Sequence, residues 1–179
     1  IDRHPVFDVR DVDYGVLISA RRNGEEDSYY WRITQCLMPF YQMIPPVVPE
    51  DDTSKASYTG HAWVPIDDEN TWTWTFSANP HRDFTPKEAE VSGGAGGMWG
   101  PIDENYRPVQ NRDNNYMLDR AAQKNDTFTG ISGIPNQDAA VQESMGPIVD
   151  RNREYLGQSD SAIIAWRRRI IEMAKNLSA

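Results

Sequence analysis

Thr71-Trp72-Thr73-Trp74-Thr75-Phe76-Ser77-Ala78 alternates aromatic and small, mostly hydroxyl-bearing side chains. In an extended chain successive side chains point to opposite faces, so this run predicts a strand with Trp72, Trp74 and Phe76 on a half-buried apolar face. Working outward, Asp67-Asp68-Glu69-Asn70 reads as a tight turn and Tyr58–Ile66 (YTGHAWVPI) as the preceding strand. Ser28–Met43 (SYYWRITQCLMPFYQM) reads as one aromatic-rich strand bent at Pro39. In its first half Tyr30, Arg32, Thr34 and Cys36 share one face, and Trp31, Ile33, Gln35 and Leu37 the other. Residues 6–10 and 14–21 are further strands around a turn at Asp11-Val12-Asp13. Arg22-Asn23-Gly24 is a second turn, because Asn-Gly reaches positive φ at little cost. The sum is an antiparallel meander of about five or six strands.

Beyond Pro80 the pattern changes. Thr85-Pro86-Lys87-Glu88 resembles a helix start, with Thr85 as cap and Pro86 at the first helical position. Pro45-Pro46 and the polar run that follows form a loop. Ser92–Gly100 is glycine-rich, but no Lys-Ser/Thr follows it and no strand and helix flank it, so it reads as a flexible loop and not a phosphate cradle. Residues 101–128 are polar, anchored by Tyr106, Val109, Tyr116, Met117 and Leu118. A loop of that length in a compact domain is expected to be functional or held by a partner. Ile134–Arg151 (IPNQDAAVQESMGPIVDR) contains a short helix over roughly 137–145, led by Pro135 and ended by Gly146-Pro147. A last helix is capped by Ser159 or Asp160, with Ile163, Trp166, Ile170, Met173/Ala174 and Leu177 in one stripe. Arg167, Arg168 and Arg169 fall mostly off that stripe, as a solvated face or paired with Glu172 and other acids. A meander followed by a long amphipathic helix suggests an α+β fold in which a sheet grips the helix over a cavity.

Length points to one domain, or part of a larger one, and net charge −9 argues against nucleic acid and anionic membrane as partners. The single cysteine, Cys36, rules out a disulfide framework and reads as a buried, inert thiol. No stretch is apolar enough to span a membrane and the N-terminus is no signal peptide, so a cytoplasmic protein is expected. The chain begins without Met, as a processed protein or a piece of a longer one does. His4, His61 and His81 make no local pair for a metal, and no G-x-S-x-G occurs. His61 reads as a hydrogen-bonded or pocket-lining strand histidine, and His4 and His81 as solvated. Asp138, near the expected helix start, is either a carboxylate favoured by the free amides there or a hard oxygen donor to a metal.

The residues Gly60-His61-Ala62-Trp63-Val64-Pro65-Ile66-Asp67-Asp68-Glu69-Asn70-Thr71-Trp72, Asn111-Arg112-Asp113-Asn114-Asn115-Tyr116, Thr127-Phe128-Thr129-Gly130-Ile131 and, above all, Gln137–Arg151 resemble the catalytic domain of Rieske-type non-haem iron ring-hydroxylating oxygenases, phthalate dioxygenase-like alpha subunits in particular. The resemblance implies a helix-grip (START/Bet v1-like) fold over residues 1–179, as the C-terminal portion of that domain. It implies a mononuclear Fe(II) held by two histidines and an aspartate that leave positions open for O2, the aspartate being Asp138. It also implies a [2Fe–2S] Rieske cluster fed from NAD(P)H through a reductase, a small aromatic substrate, an aromatic acid by analogy, and a homo-oligomer, a trimer by analogy. The family's iron-binding histidines precede these strands and match nothing here, and the Rieske Cys and His pairs have no counterpart. One carboxylate cannot hold Fe(II) alone, so the chain by itself is expected to be inactive. Glu143 and Asp150 read as surface acids, with support of the metal site as the alternative. Arg32 and His61 are the side chains that could meet a substrate carboxylate. A stand-alone helix-grip ligand-binding domain without metal and a non-catalytic partner subunit are the alternative readings.

Overall fold

The computed structural model describes residues 2–46, 56–92 and 100–177. Six strands, β1 (Val6–Val12), β2 (Gly15–Asn23), β3 (Tyr29–Leu37), β4 (Tyr41–Ile44), β5 (Tyr58–Pro65) and β6 (Thr71–Ala78), pair in chain order. Every neighbouring pair is antiparallel. With four helices, α1 (Pro86–Ser92), α2 (Arg120–Asn125), α3 (Ile134–Ser144) and the long α4 (Ser161–Leu177), this is the expected α+β arrangement of an open sheet and a C-terminal helix, consistent with a helix grip. The chain divides into two compact units. One comprises Ile1–Ile66, Thr71–His81 and Arg151–Ala179, with the sheet and α4. The other comprises Asp67–Asn70 and Arg82–Asp150, with α1, α2 and α3.

The expected strand across Ser28–Met43 is two strands. The chain turns over at Met38-Pro39-Phe40, where proline has no N–H for a ladder, and Leu37 then pairs with Tyr41. The turn after β2 also differs from expectation. Its positive φ angles fall on Glu26 and Asp27, while Gly24 donates its N–H to the Ser28 carbonyl at 2.9 Å. The turn between β5 and β6 is as expected: one Asp67 Oδ1 accepts the backbone N–H groups of Glu69 (2.8 Å) and Asn70 (2.7 Å). Gly60 is glycine for a spatial reason. A Cβ there would meet the Phe76 ring at 2.4 Å and the Gln42 carbonyl oxygen at 2.6 Å.

The register sorts the strands into two faces. Ile18, Thr34, Cys36, Gln42, His61, Trp63 and Thr75 lie on one, and Leu17, Ile33, Gln35, Met43, Ala62 and Trp74 on the other. Helix α4 covers the first. Val16 is fully buried there, and Arg169 ties the helix to the β1–β2 hairpin through Asp11 (3.3 Å) and the carbonyls of Asp13 (3.2 Å) and Gly15 (3.4 Å). Arg167 forks onto Glu154 at 2.5 and 2.8 Å, while Arg168 is exposed. Arg167 and Arg169 thus pair with Glu154 and Asp11, among the other acids expected, and Arg168 lies on the solvated face.

The apolar face of β6 is covered only in part: Phe76 is half-buried as expected, but Trp74 is 56% exposed and Trp72 36%, their rings stacked 5.7 Å apart, while Thr73 and Thr75 are half-buried. Alternation shows that a face is apolar; which face is covered depends on where α4 docks, and α4 docks on β1 and β2.

In the second unit Thr85 and Glu88 form the expected start of α1: Glu88 N–H donates to Thr85 Oγ1 at 3.3 Å, and Thr85 N–H donates to the Glu88 carboxylate at 2.8 Å. Arg82, then these Thr85 bonds, hold the Glu88 carboxyl down at about 2. The polar residues 101–128 are ordered by their own side chains. Asp103 accepts from Asn105 and Arg107, Asn111 and Asn114 cap each other's backbone, and Asp119 caps α2 through Ala121 and Ala122. The glycine-rich loop and most of the loop after Pro46 lie outside the described residues.

Candidate functional site

Helix α3 begins at Ile134, earlier than its sequence suggests, with Pro135 in its first turn. Asp138 therefore lies in the second turn and does not cap the helix, and no acidic residue occupies the first turn. That removes the simplest structural reason for a carboxylate at this position.

Three connections hold α3. Asn136, only 4% exposed, donates its amide to Gln110 Oε1 at 2.6 Å and to the Ser132 carbonyl at 2.9 Å. Gln137 donates to the Ile131 carbonyl at 3.1 Å. Tyr116, buried, donates its hydroxyl to the Glu143 carboxylate. Gln110 joins two of these, since its own amide donates to the Tyr116 carbonyl at 3.1 Å. Burial first, and then Glu143, push the Tyr116 hydroxyl up to about 12. Glu143, expected as a surface acid, is exposed but tied to this network.

The backbone supports the same brace. Asn115, Tyr116 and Met117 have φ of 51°, 57° and 51°, a left-handed run of three residues that are not glycine. Such a run persists only where its surroundings impose it, and strained backbone of this kind concentrates at functional sites. Gly130 has φ of 70°, and a Cβ there would strike the Asp119 carbonyl at 2.4 Å. Asp119 N–H in turn donates to the Gly130 carbonyl at 2.9 Å. Asn111–Tyr116 and Thr127–Ile131 are thus parts of one support for α3. No sequence signal marks the Tyr116–Glu143 pairing, because nothing in the spacing of two residues 27 positions apart couples them.

With Asn136 facing the brace, the opposite side of α3 is open. Asp138 is exposed, as are Ile134 (74%) and Val141 (66%), four residues before it and three after, on the same helical face. A carboxylate flanked by exposed apolar side chains on a braced helix can act as an oxygen ligand. Among the described residues no three His, Cys, Asp or Glu side chains come together as a metal site. Asp138 has the donor chemistry of an iron ligand, but the described residues supply no complete set around it.

The other sequence candidates lie elsewhere. His61 is on the helix-covered face of β5, with Nδ1 3.3 Å from Thr75 Oγ1 and its ring 5.3 Å from that of Trp63, the strand role expected of it. His4 and His81 are exposed and donate backbone N–H groups to Asp2 and Asn79. Asp150 is exposed. Cys36 is a buried free thiol whose pKa is raised by burial, as an inert thiol requires. It lines a groove of about 540 Å³ between the sheet and α4, with Ile18, Trp63, Trp166, Ile170 and Leu177 among the other walls. Every residue of the expected α4 stripe lines this groove. Among the described residues no helix is long and apolar enough to cross a membrane.

The family model described as "LigXa C-terminal domain like" matches residues 1–179. The chain is 36% identical to the phthalate 4,5-dioxygenase oxygenase subunit of Pseudomonas putida, over 96% of this chain and 38% of that protein. It is 33% identical to the 3-chlorobenzoate-3,4-dioxygenase oxygenase subunit of Comamonas testosteroni, over 94% of this chain and 40% of that protein. It is 26% identical to the 5,5'-dehydrodivanillate O-demethylase oxygenase subunit of a Sphingobium strain, over 98% of this chain and 34% of that protein. The chain thus spans well under half the length of these relatives.

Proposed function

The chain belongs to the LigXa C-terminal domain-like family, and on that premise we propose that it forms the C-terminal portion of the catalytic domain of a Rieske-type non-haem iron oxygenase. The whole protein would hydroxylate an aromatic substrate with O2 and electrons from NAD(P)H, passed through a reductase, as a cytoplasmic homo-oligomer. The observation that carries this reading is that the three relatives, each matched over at least 94% of this chain, are all oxygenase subunits. Their names give phthalate, 3-chlorobenzoate and 5,5'-dehydrodivanillate, all aromatic carboxylates, and an aromatic carboxylate is the substrate class we assign here. These relatives do not favour a metal-free binding domain or a non-catalytic partner subunit.

In this reading Asp138 supplies one carboxylate ligand to a mononuclear Fe(II). Two further ligands come from parts of the protein outside these 179 residues. The iron, when bound, supplies O2 activation; a Rieske [2Fe–2S] cluster, also outside this chain, supplies electrons. The work of the chain's own residues is to hold position. Asn136, Gln137 and the Tyr116–Glu143 pair fix the rotation and tilt of α3, and so the direction from which the Asp138 oxygens approach the metal. The groove beside α4 supplies an apolar surface for an aromatic ring.

Asp138→Ala in the full-length protein tests the assignment. Metal analysis should find the mononuclear iron lost while circular dichroism and the Rieske cluster's visible spectrum stay as in the wild type. Unchanged iron content would refute the role of Asp138.

A further inference from the structure

No charged residue lines the groove between the sheet and α4, and Gln42 is the one lining residue that carries an amide. Strand register puts it there. Gln42 is opposite Cys36 on β3 and His61 on β5, on the face that α4 covers. Ile18, Phe40, Trp63, Trp166 and Ile170 stand among its neighbours in the wall. Arg32, on the same face of β3, lines a different cavity. A half-buried primary amide among such walls is disfavoured unless its polar atoms find partners.

Half of that requirement is met. Gln42 Oε1 accepts the indole N–H of Trp63 at 3.4 Å. An indole N–H only donates, so the amide oxygen must be the atom that faces it. The amide nitrogen is left over, and among the described residues nothing accepts its hydrogens. Trp63 is itself tied down, since its backbone N–H donates to the Phe40 carbonyl at 3.0 Å. The amide is therefore presented from paired strands and not from a loop. Burial pushes the Cys36 thiol up, so this neighbour stays protonated and the groove stays uncharged. An ionised group entering it would lose water and gain no opposite charge. A neutral oxygen that accepts one hydrogen bond meets an unused donor. The groove's volume, about 540 Å³, is that of a small-molecule site.

We propose that Gln42 fixes an aromatic ligand in this groove by donating an amide N–H to the oxygen of a neutral ring substituent, an alkoxy or hydroxyl group. A ring that also bears a carboxylate enters by its uncharged edge. That the ligand is the oxygenase's substrate rests on the reading above; that the groove selects for such an oxygen does not. A site built to give a hydrogen bond discriminates against the analogue that lacks the acceptor, because the donor is then left unpaired.

Titration calorimetry on the full-length protein, without a reductant, compares anisole with ethylbenzene, which has nearly the same shape but a methylene in place of the oxygen. Anisole should bind about fivefold tighter. Gln42→Met keeps the length of the side chain and removes the donor, and should bring the two ligands level by weakening anisole. Gln42→Glu, which still accepts from Trp63 but has no N–H to give when ionised, should also abolish the preference. Gln35→Met is the control. Gln35 is on the opposite face, where its Oε1 accepts the Tyr14 hydroxyl at 3.4 Å, and the preference should stay as in the wild type. Equal affinities in the wild type, no binding of either ligand, a preference that survives Gln42→Met, or an equal loss from Gln35→Met would each overturn the proposal. Iron content separates it from the oxygenase reading. Asp138→Ala should keep the anisole preference; if it also keeps its iron, the iron reading fails and the groove assignment stands. Level affinities in a wild type with its full iron would sink the groove assignment alone.

Discussion

Helix α4 turns Ile163, Trp166, Ile170, Met173 and Leu177 toward one apolar groove, whereas α3 turns Asn136 and Gln137 into a hydrogen-bonded mesh and leaves Ile134, Val141 and Met145 exposed. Burial of apolar area is strong but non-directional, so it sets the rotation of a helix less sharply, and on α4 it leaves Ile163 44% and Leu177 86% exposed. Hydrogen bonds contribute less each but fail outside a narrow range of distance and angle. A helix that only has to close a core can be held the first way. A helix that must aim one carboxylate gains from the second.

The largest stability loss should therefore come from α4. Trp166→Ala removes an aromatic wall of the groove and should cost about 3 kcal/mol in urea unfolding, with iron retained by whatever protein remains folded. A loss below about 1 kcal/mol would mean that the groove does not hold the helix. On α3, Asn136→Ala strands the Gln110 oxygen and should cost about 2 kcal/mol. Here iron affinity should fall along with stability, because the tilt of α3 changes. A stability loss with iron affinity untouched would break the contrast between the two helices.

How much of this was legible follows from the same physics. The α4 stripe was readable because one repeating apolar period marks an apolar helix face, and each residue named from that period lines the groove, although Ile163, Ile170 and Leu177 remain 44%, 39% and 86% exposed. The six strands were readable for the same reason, except where Pro39 separates β3 from β4. The exposed face of Trp72 and Trp74 was not, since what covers a strand face is fixed by an element far away in sequence. Nor was the brace behind Asp138. Tyr116 to Glu143 and Gln110 to Asn136 are pairings of single polar residues, without period. Asp138 stood out from its place near an expected helix start, with metal binding as one of two readings, and only the resemblance made it an iron ligand.

A smaller effect is expected from the outer face. Trp74 is more than half exposed, so Trp74→Thr should change stability by no more than about 0.5 kcal/mol. A loss like that of Trp166→Ala would mean that the Trp72–Trp74 stack carries as much of the fold as the groove does, and would extend the role of apolar burial beyond α4.

The finest test uses pH, because the two helices are tied by groups that titrate at opposite ends of the scale. Arg167, with Arg151, holds the Glu154 carboxyl near 2 against an ordinary 4.5. A carboxyl lowered on folding favours the folded state above its unfolded pKa. That contribution, which secures the approach to α4, is lost as pH falls from about 4.5 to about 2. The Tyr116 hydroxyl is raised from 10 to about 12. A raised acid disfavours the folded state once it ionises, so its support of α3 is intact below pH 10 and is lost as pH rises toward 12. Tyr116→Phe, at a cost of about 1 kcal/mol near neutrality, should flatten the alkaline side of a plot of urea midpoint against pH and leave the acid side unchanged. Glu154→Gln should do the reverse. If either substitution flattened both sides, the two helices would share one electrostatic support, and the separation drawn between them would fail.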